Sequence, residues 1–337
     1  MHFLITGHTG FKGAWLTLLL KERGHLVSGL SLEPGADALH NKAHIGKSLK
    51  SDFRCDIRNL EILREHFSEV NPDVIIHLAA QSLVRESYKD PIATFSTNVL
   101  GTVNVLKASQ SVKKLKAQLI VTTDKVYRNV NKSTGYIESE PLGGHDPYSA
   151  SKAMADIATQ SWLASFESAP TAIARAGNVI GGGDICADRL IPDLVKAYGA
   201  SLTPRLRSPN SIRPWQHVLD CLNGYLHLID KIISGDADGA WNFGPKANQN
   251  KTVAEVSNIA GGIWGVEKFW EPENPDDLHE ANLLVLNSDK ARTKLGWSEK
   301  LSFEESVEWT VNWYKNVHNG KNALDEMLKN IRRFESR

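Results

Sequence analysis

A chain of 337 residues exceeds what one small core requires and suits a large domain with a smaller companion. Its 39 Lys+Arg balance 39 Asp+Glu, so no polyanion-binding tail or membrane-surface patch is expected, and a nucleic-acid partner is disfavoured. Cys55, Cys186 and Cys221 are scattered and form no CxxC pair, which argues against a disulfide framework and a zinc site, and for reduced thiols in a cytoplasmic protein.

Met1-His2 runs directly into the apolar strand Phe3-Leu4-Ile5, without the basic region or cleavage site of a signal peptide. No apolar run approaches the ~20 residues that span a bilayer, so no membrane partner is expected. Phe3 to Thr6 reads as a strand ending in a glycine turn, followed by a helix with Phe11, Trp15, Leu16, Leu19 and Leu20 at helical spacing. His25 to Leu32 is a second strand and Ile57 to Val70 a helix. Val74 to Leu78 is a buried-strand run, Thr97 to Ser109 a helix, Gln118 to Thr122 a strand, Pro147 to Phe166 a long helix, and Ala172 to Ala176 a strand. Repeated βα units of this kind predict a Rossmann-type, doubly wound parallel sheet with helices on both faces. After Gly181-Gly182-Gly183 the elements shorten: Ile191 to Tyr198 is a short helix, and 205–214 reads as irregular. We expect a dinucleotide-binding domain over 1–178 and a smaller α/β substrate-binding lobe over 179–337, with segments near 213–245 returning to the first.

Gly7-His8-Thr9-Gly10-Phe11-Lys12-Gly13 lies between the first strand and the first helix. Gly7 permits a tight turn, Gly10 lets the backbone approach a pyrophosphate, and Gly13 lets the helix lie close to the sheet. The helix N-terminus then offers N–H groups to the phosphates. At the end of the second strand, Ser31 stands where an acidic residue usually holds the adenosine ribose, with Glu33 slightly late and no arginine directly after it. NAD is therefore expected over NADP. Asp56-Ile57 precedes a helix and reads as a bracket for the adenine edge or as an N-cap.

Tyr148 and Lys152 are one helical turn apart, so their side chains share a face. A neighbouring ammonium is expected to lower the phenol pKa and make Tyr148 a base, with Lys152 also holding the nicotinamide ribose. Thr123, Asp124 and Lys125 follow a strand whose C-terminal end should open on the ligand crevice; the bland alternative is a solvated loop.

These residues resemble the extended short-chain dehydrogenase/reductase superfamily over nearly the whole chain, within it the nucleotide-sugar dehydratases, and among those the CDP-glucose branch. The resemblance is carried by the glycine turn, by 77–85 (HLAAQSLVR), by 141–148 (PLGGHDPY), by 174–184 (ARAGNVIGGGD), by 188–192 (DRLIP), by 212–218 (IRPWQHV) and by 241–245 (WNFGP). It implies that Tyr148 takes the C4 hydroxyl proton while hydride passes to NAD, that Asp124 is the acid for the C6 hydroxyl, and that Lys125 is the C5 base, provided burial or a cation such as Lys152 depresses its pKa. The expected reaction is NAD-dependent dehydration of an NDP-hexose, CDP-glucose to CDP-4-keto-6-deoxyglucose. The resemblance further implies that Thr123 bonds the C4 hydroxyl, that Thr9, Phe11, Lys12, Leu78, Ala79, Ala80, Gln81, Thr97 and Thr122 join the cofactor site, and that Ser82, Arg85, Asn178, Arg189, Leu190, Arg213 and His279 hold the nucleotide-sugar substrate. It also implies a homodimer or homotetramer paired through helices such as Thr97–Ser109 and Pro147–Phe166. The loop 128–134 lacks a tryptophan often found in that branch, and 166–170 is shorter than usual.

Two other readings compete. An NDP-sugar 4-epimerase or reductase would share Tyr148 and Lys152 but has no need of an acid and base at C5 and C6. A non-catalytic dinucleotide-sensing protein on this fold would commonly lack the tyrosine or the lysine.

Overall fold

A strand with no exposed residue, such as Val74–His77, needs cover on both faces, and helices that alternate with such strands supply it. A computed structural model describes residues 1–246, 250–273 and 283–337. Strands β1 (His2–Thr6), β2 (Leu26–Ser31), β3 (Ser51–Arg54), β4 (Val74–His77), β5 (Ala117–Val121) and β6 (Thr171–Ala176) come first. The two-residue strands β7 (Val179–Ile180), β8 (Arg205–Leu206), β9 (Ile212–Arg213) and β10 (Gln216–His217) precede β11 (Gly239–Phe243), β12 (Lys251–Thr252) and β13 (Glu271–Pro272). Helices α1 (Phe11–Glu22), α2 (Leu39–Lys42), α3 (Leu60–Val70), α4 (Val84–Lys89), α5 (Pro91–Phe95), α6 (Gly101–Ser109) and α7 (Pro147–Ser165) lie among the first six strands. They are followed by α8 (Leu190–Gly199), α9 (Val218–Ile233), α10 (Val253–Trp264), α11 (Asp289–Leu295), α12 (Phe303–His318) and α13 (Ala323–Glu335).

Seven strands form one parallel sheet in the order β11-β6-β5-β4-β1-β2-β3. The order reverses between β1 and β4, and ligands of open α/β sheets bind outside the carboxyl ends at such a point. β11 pairs with β6, Trp241 opposite Ala174, so the chain returns to the sheet after leaving it. The returning segment includes α9, whose Leu219, Leu222, Leu226 and Ile229 recur at helical spacing and are buried in the same apolar cluster as the sheet. That cluster runs from Phe3 to Phe334. A second cluster, with Ile191, Leu194, Tyr198, Val256 and Val307, joins α8, α10 and α12 on the other side of the cleft.

Several elements differ from the sequence expectation. β3 went unrecognised because Ser51–Arg54 is a short polar edge strand with only partial burial. α3 begins at Leu60, capped by the Asn59 side chain on Ile62 N at 3.2 Å, so Asp56 is not its N-cap. The helix expected from Thr97 starts instead at Pro91, after the Asp90 cap, and contains a wide turn at Ser96–Leu100. That turn aims Asn98 at the loop after β4, where it bonds Gln81 N at 2.8 Å and Gln81 O at 2.9 Å. The region 205–214 is not wholly irregular: β8 pairs with β13, and β9 with β12.

Candidate active site

A cleft of about 740 Å³ opens over the carboxyl ends of β1, β4, β5 and β6 and extends beneath α8. Gly7 leaves β1 with φ +81°, and a Cβ there would lie 2.6 Å from Ala79 N, so the turn after β1 touches the loop after β4. A Cβ on Gly13 would come within 2.3 Å of Gly7 O, whereas one on Gly10 meets nothing closer than 3.4 Å. Helix α1 starts with Gly10 at its N-cap and no side-chain cap, and Gly10, Phe11, Lys12 and Gly13 line the cleft. Such a backbone-lined helix start suits a pyrophosphate. The residues around it therefore fit a dinucleotide.

At the far end of this half, Ser31 and Thr9 share a 2.6 Å hydroxyl–hydroxyl bond. Asp56 and Ile57 line the cleft beside them, the Asp56 carboxylate gripping Arg58 through Nε and Nη2. Leu78, Ala79, Ala80, Thr97 and Thr122 also face the cleft. Gln81 does not line it. Its side-chain amide accepts from Leu83 N at 2.6 Å and donates to Thr94 Oγ1 at 2.9 Å, which shapes the loop after β4.

The central groups converge from β5 and α7. Asp146 caps α7 through Ser149 N and starts the helix that carries Tyr148 and Lys152, with Pro147 at its first position. Both side chains are buried and both line the cleft. Lys152 Nζ donates to Val121 O at 2.9 Å, fixing α7 to the end of β5. Burial, with the Lys12 ammonium adding to it, pulls the Lys152 amine down to about 8. Burial pushes the Tyr148 phenol up to about 12, while the Thr123 hydroxyl and the Arg189 charge oppose that rise. The expectation of a lowered tyrosine pKa is thus reversed: desolvation outweighs the cations around the phenol.

Thr123 opens a single 3₁₀ turn, Asp124–Val126, and its hydroxyl bonds Asp124 Oδ1 at 2.9 Å. Asp124 is buried, and its Oδ2 has no hydrogen-bond partner. Burial raises the Asp124 carboxyl above the usual carboxylate range, against the pull of Lys125, Thr123, Arg213 and Lys12. Gly177 leaves room for it, since a Cβ there would sit 3.1 Å from Asp124 Oδ2. Lys125 is half-buried and lines the same cleft. A buried network holds these elements in register: Arg175 on β6 makes paired 2.8 Å bonds to Asp156 on α7 and reaches Tyr127 Oη at 2.9 Å.

The rest of the cleft is cationic. Ser82, Arg85, Asn178, Arg189, Leu190 and Arg213 line the same cleft. Arg189 bonds Asp184 at 2.9 Å and reaches Ser82 Oγ at 3.4 Å across the cleft. Arg85 and Arg207 share the Asp188 carboxylate at 3.4 and 3.2 Å. Arg207 was missed from the sequence; arginines two apart, Arg205 and Arg207, were the available signal of a short extended segment presenting charge on one side. His279 lies outside the described residues. Among the described residues, His8, His40 and Asp52 have metal-ligand spacing, their ligand atoms within 4.8 Å of one another. The Arg54 guanidinium already sits on that carboxylate.

Residues 4–310 match the sequence model of the GDP-mannose 4,6 dehydratase family. The chain is 40% identical to CDP-glucose 4,6-dehydratase of Salmonella typhimurium, over 95% of this chain and 92% of that one. The chain belongs to this 4,6-dehydratase family. Among solved members, the dTDP-glucose 4,6-dehydratase of Bacillus anthracis in complex with NAD superposes with a TM-score of 0.81 at 25% identity, covering 97% of this chain and 99% of that one. The UDP-glucose 4-epimerase of Thermus thermophilus, also an NAD complex, gives the same TM-score and identity over 94% and 99%. Family membership places the protein among enzymes, while the equal likeness to an epimerase means that the fold leaves the reaction to the site. No helix among the described residues is long and apolar enough to cross a membrane.

Proposed function

We propose that the protein is a lyase that dehydrates an NDP-hexose, CDP-glucose by preference, to the 4-keto-6-deoxy sugar, with NAD regenerated in every turnover. The observation that carries this reading is the buried Asp124 carboxyl, raised in pKa and with one oxygen unpartnered, beside Lys125 and Tyr148 in one cleft. A 4-epimerase needs nothing beyond C4 and has no use for that acid. The 40% identity to a CDP-glucose enzyme supports CDP-glucose as substrate.

When bound, NAD supplies the hydride acceptor for C4 and the hydride donor for C6. Tyr148 receives the C4 hydroxyl proton as the phenolate, and the Thr123 hydroxyl and Arg189 charge work toward that form against the burial that holds the phenol protonated. The new ketone acidifies C5–H, and Lys125 takes that proton as the neutral amine, the only form of a lysine with a lone pair to accept it. Asp124 gives its own proton to the C6 hydroxyl, which leaves as water; burial keeps that proton in place until then. A proton returns to C5 as hydride reaches C6, so the net change is loss of one water. Arg189 and Arg213 hold the diphosphate, with Asn178 on the hexose; the planar guanidinium fork matches phosphate oxygens.

Incubation with CDP-, dTDP-, UDP- and GDP-hexoses, followed by mass spectrometry, tests the reading. CDP-glucose should lose water and yield the 4-keto-6-deoxy product. C4 epimerisation without water loss on any of the four would refute it. Ile92, Leu100, Met154 and Ile157 are exposed apolar residues on or beside α5–α7. We read them as the face on which two copies pair, in a cytoplasmic protein. Light scattering of Ile157→Glu checks the pairing, and an unchanged mass would exclude this face.

A further inference from the structure

Ser31 is a weak ribose anchor, because its hydroxyl is already bonded to Thr9. A charged group that the order of residues hides lies on the neighbouring strand. Arg54, at the end of β3, is the register partner of Ser31 at the end of β2. Adjacent strands lie about 4.8 Å apart, well within reach of an arginine side chain. An arginine at the end of β2 is what a 2′-phosphate on the adenosine ribose would require.

Arg54 is held away from that task on two sides. Its Nε donates to Glu33 at 2.8 Å, and its Nη1 and Nη2 are on the two Asp52 oxygens, the second at 3.2 Å. Asp52 is itself fixed by His8 of the glycine turn at 2.7 Å. Room for that histidine comes from β2, since a Cβ on Gly29 would lie 2.2 Å from the His8 ring. Burial keeps His8 unprotonated, down to about 4, so it adds no positive charge near neutral pH. Two carboxylates against one guanidinium leave the cluster net negative. A 2′-phosphate, with about −1.5 to −2 charge, meets repulsion there, whereas a 2′-hydroxyl does not.

We propose that Glu33, acting through Arg54 and Asp52, sets the preference of this site for a dinucleotide with a free adenosine 2′-hydroxyl over one with a 2′-phosphate. The inference rests on the NAD reading above. Glu33 is a specificity-determining residue at the surface, its side chain 77% exposed, so its replacement spares the core.

Binding of NADH and NADPH to the intact protein is measured by fluorescence titration for the wild type, Glu33→Ala, and Glu33→Ala/Arg54→Ala. Glu33→Ala should shift the NADPH-to-NADH affinity ratio toward NADPH by about tenfold, the scale of one charge-assisted phosphate contact, and the double variant should lose that gain. A wild type that binds NADH with either ratio unchanged in Glu33→Ala overturns the inference. A gain that survives Arg54→Ala also overturns it. A wild type that binds neither dinucleotide defeats the NAD reading itself.

Discussion

Asp124→Asn separates the acid's role from its place in the fold. Asparagine has the same shape and keeps an oxygen for the Thr123 hydroxyl, which lies 2.9 Å from Asp124 Oδ1. It removes the transferable proton on the unpartnered Oδ2 side. General acid catalysis contributes about 10²- to 10⁴-fold, so water loss from CDP-glucose should slow by that factor. Oxidation at C4 precedes the step and should persist, seen as single-turnover accumulation of reduced nicotinamide absorbance. The stability effect has the opposite sign. Burial raises the Asp124 pKa, so the folded state holds the proton more tightly than the unfolded chain does. That stabilisation is complete below the ordinary value of 3.8 and is lost as pH rises toward the folded-state value. Across that interval the loss is about 1.4 kcal/mol per pH unit. The amide does not titrate, so the variant should melt at or above the wild-type temperature near neutral pH, and the gap should close toward acid pH. Water loss within tenfold of wild type, or a variant less stable than wild type at neutral pH, would refute the argument.

Three further outcomes follow from named contacts. Lys125→Met should cut C5 deuterium exchange by at least about 10²-fold while C4 oxidation continues; full retention of exchange would remove Lys125 from the base role. Asp156→Ala leaves the fully buried Arg175 guanidinium without its paired carboxylate, and urea unfolding should show a loss of about 3–5 kcal/mol; an unchanged midpoint would mean the pair is dispensable. Burial lifts Asp220 to about 7, although Lys300 N and Leu301 N donate to it. Its proton therefore stabilises the fold at acid pH, and that stabilisation fades as pH rises from 3.8 to about 7. Asp220→Asn should flatten this part of the pH–melting profile, and an unaltered slope would assign it to other groups.

What the sequence discloses here depends on how local the signal is. The apolar run of β4 and the glycine turn after β1 are contiguous, and both stand at their expected positions. Tyr148 and Lys152 share a helix face by spacing alone, but spacing says nothing of desolvation, which sets the direction of the Tyr148 shift. Nor does it show that the lysine ends on Val121 O. Arg54 is invisible as a neighbour of Ser31 because parallel register is a property of two strands. Gln81 sits inside a family-like stretch, yet its contacts with Leu83 and Thr94 depend on the helix that starts at Pro91. The Arg175–Asp156 pair joins β6 to α7, and neither residue is exceptional in its own segment.

The return of β11 to the edge of β6 bears on how the chain folds as it is made. During synthesis β6 emerges while its outer partner is still unmade, and at ~5–20 residues per second that interval is on the order of ten seconds. Throughout it the nascent sheet has an open apolar edge, and α1 waits for the helix carrying Phe334. The seventh strand joins the sheet only once Phe243 has been made, and a holdase chaperone that shields β6 in that interval should raise the yield of native protein.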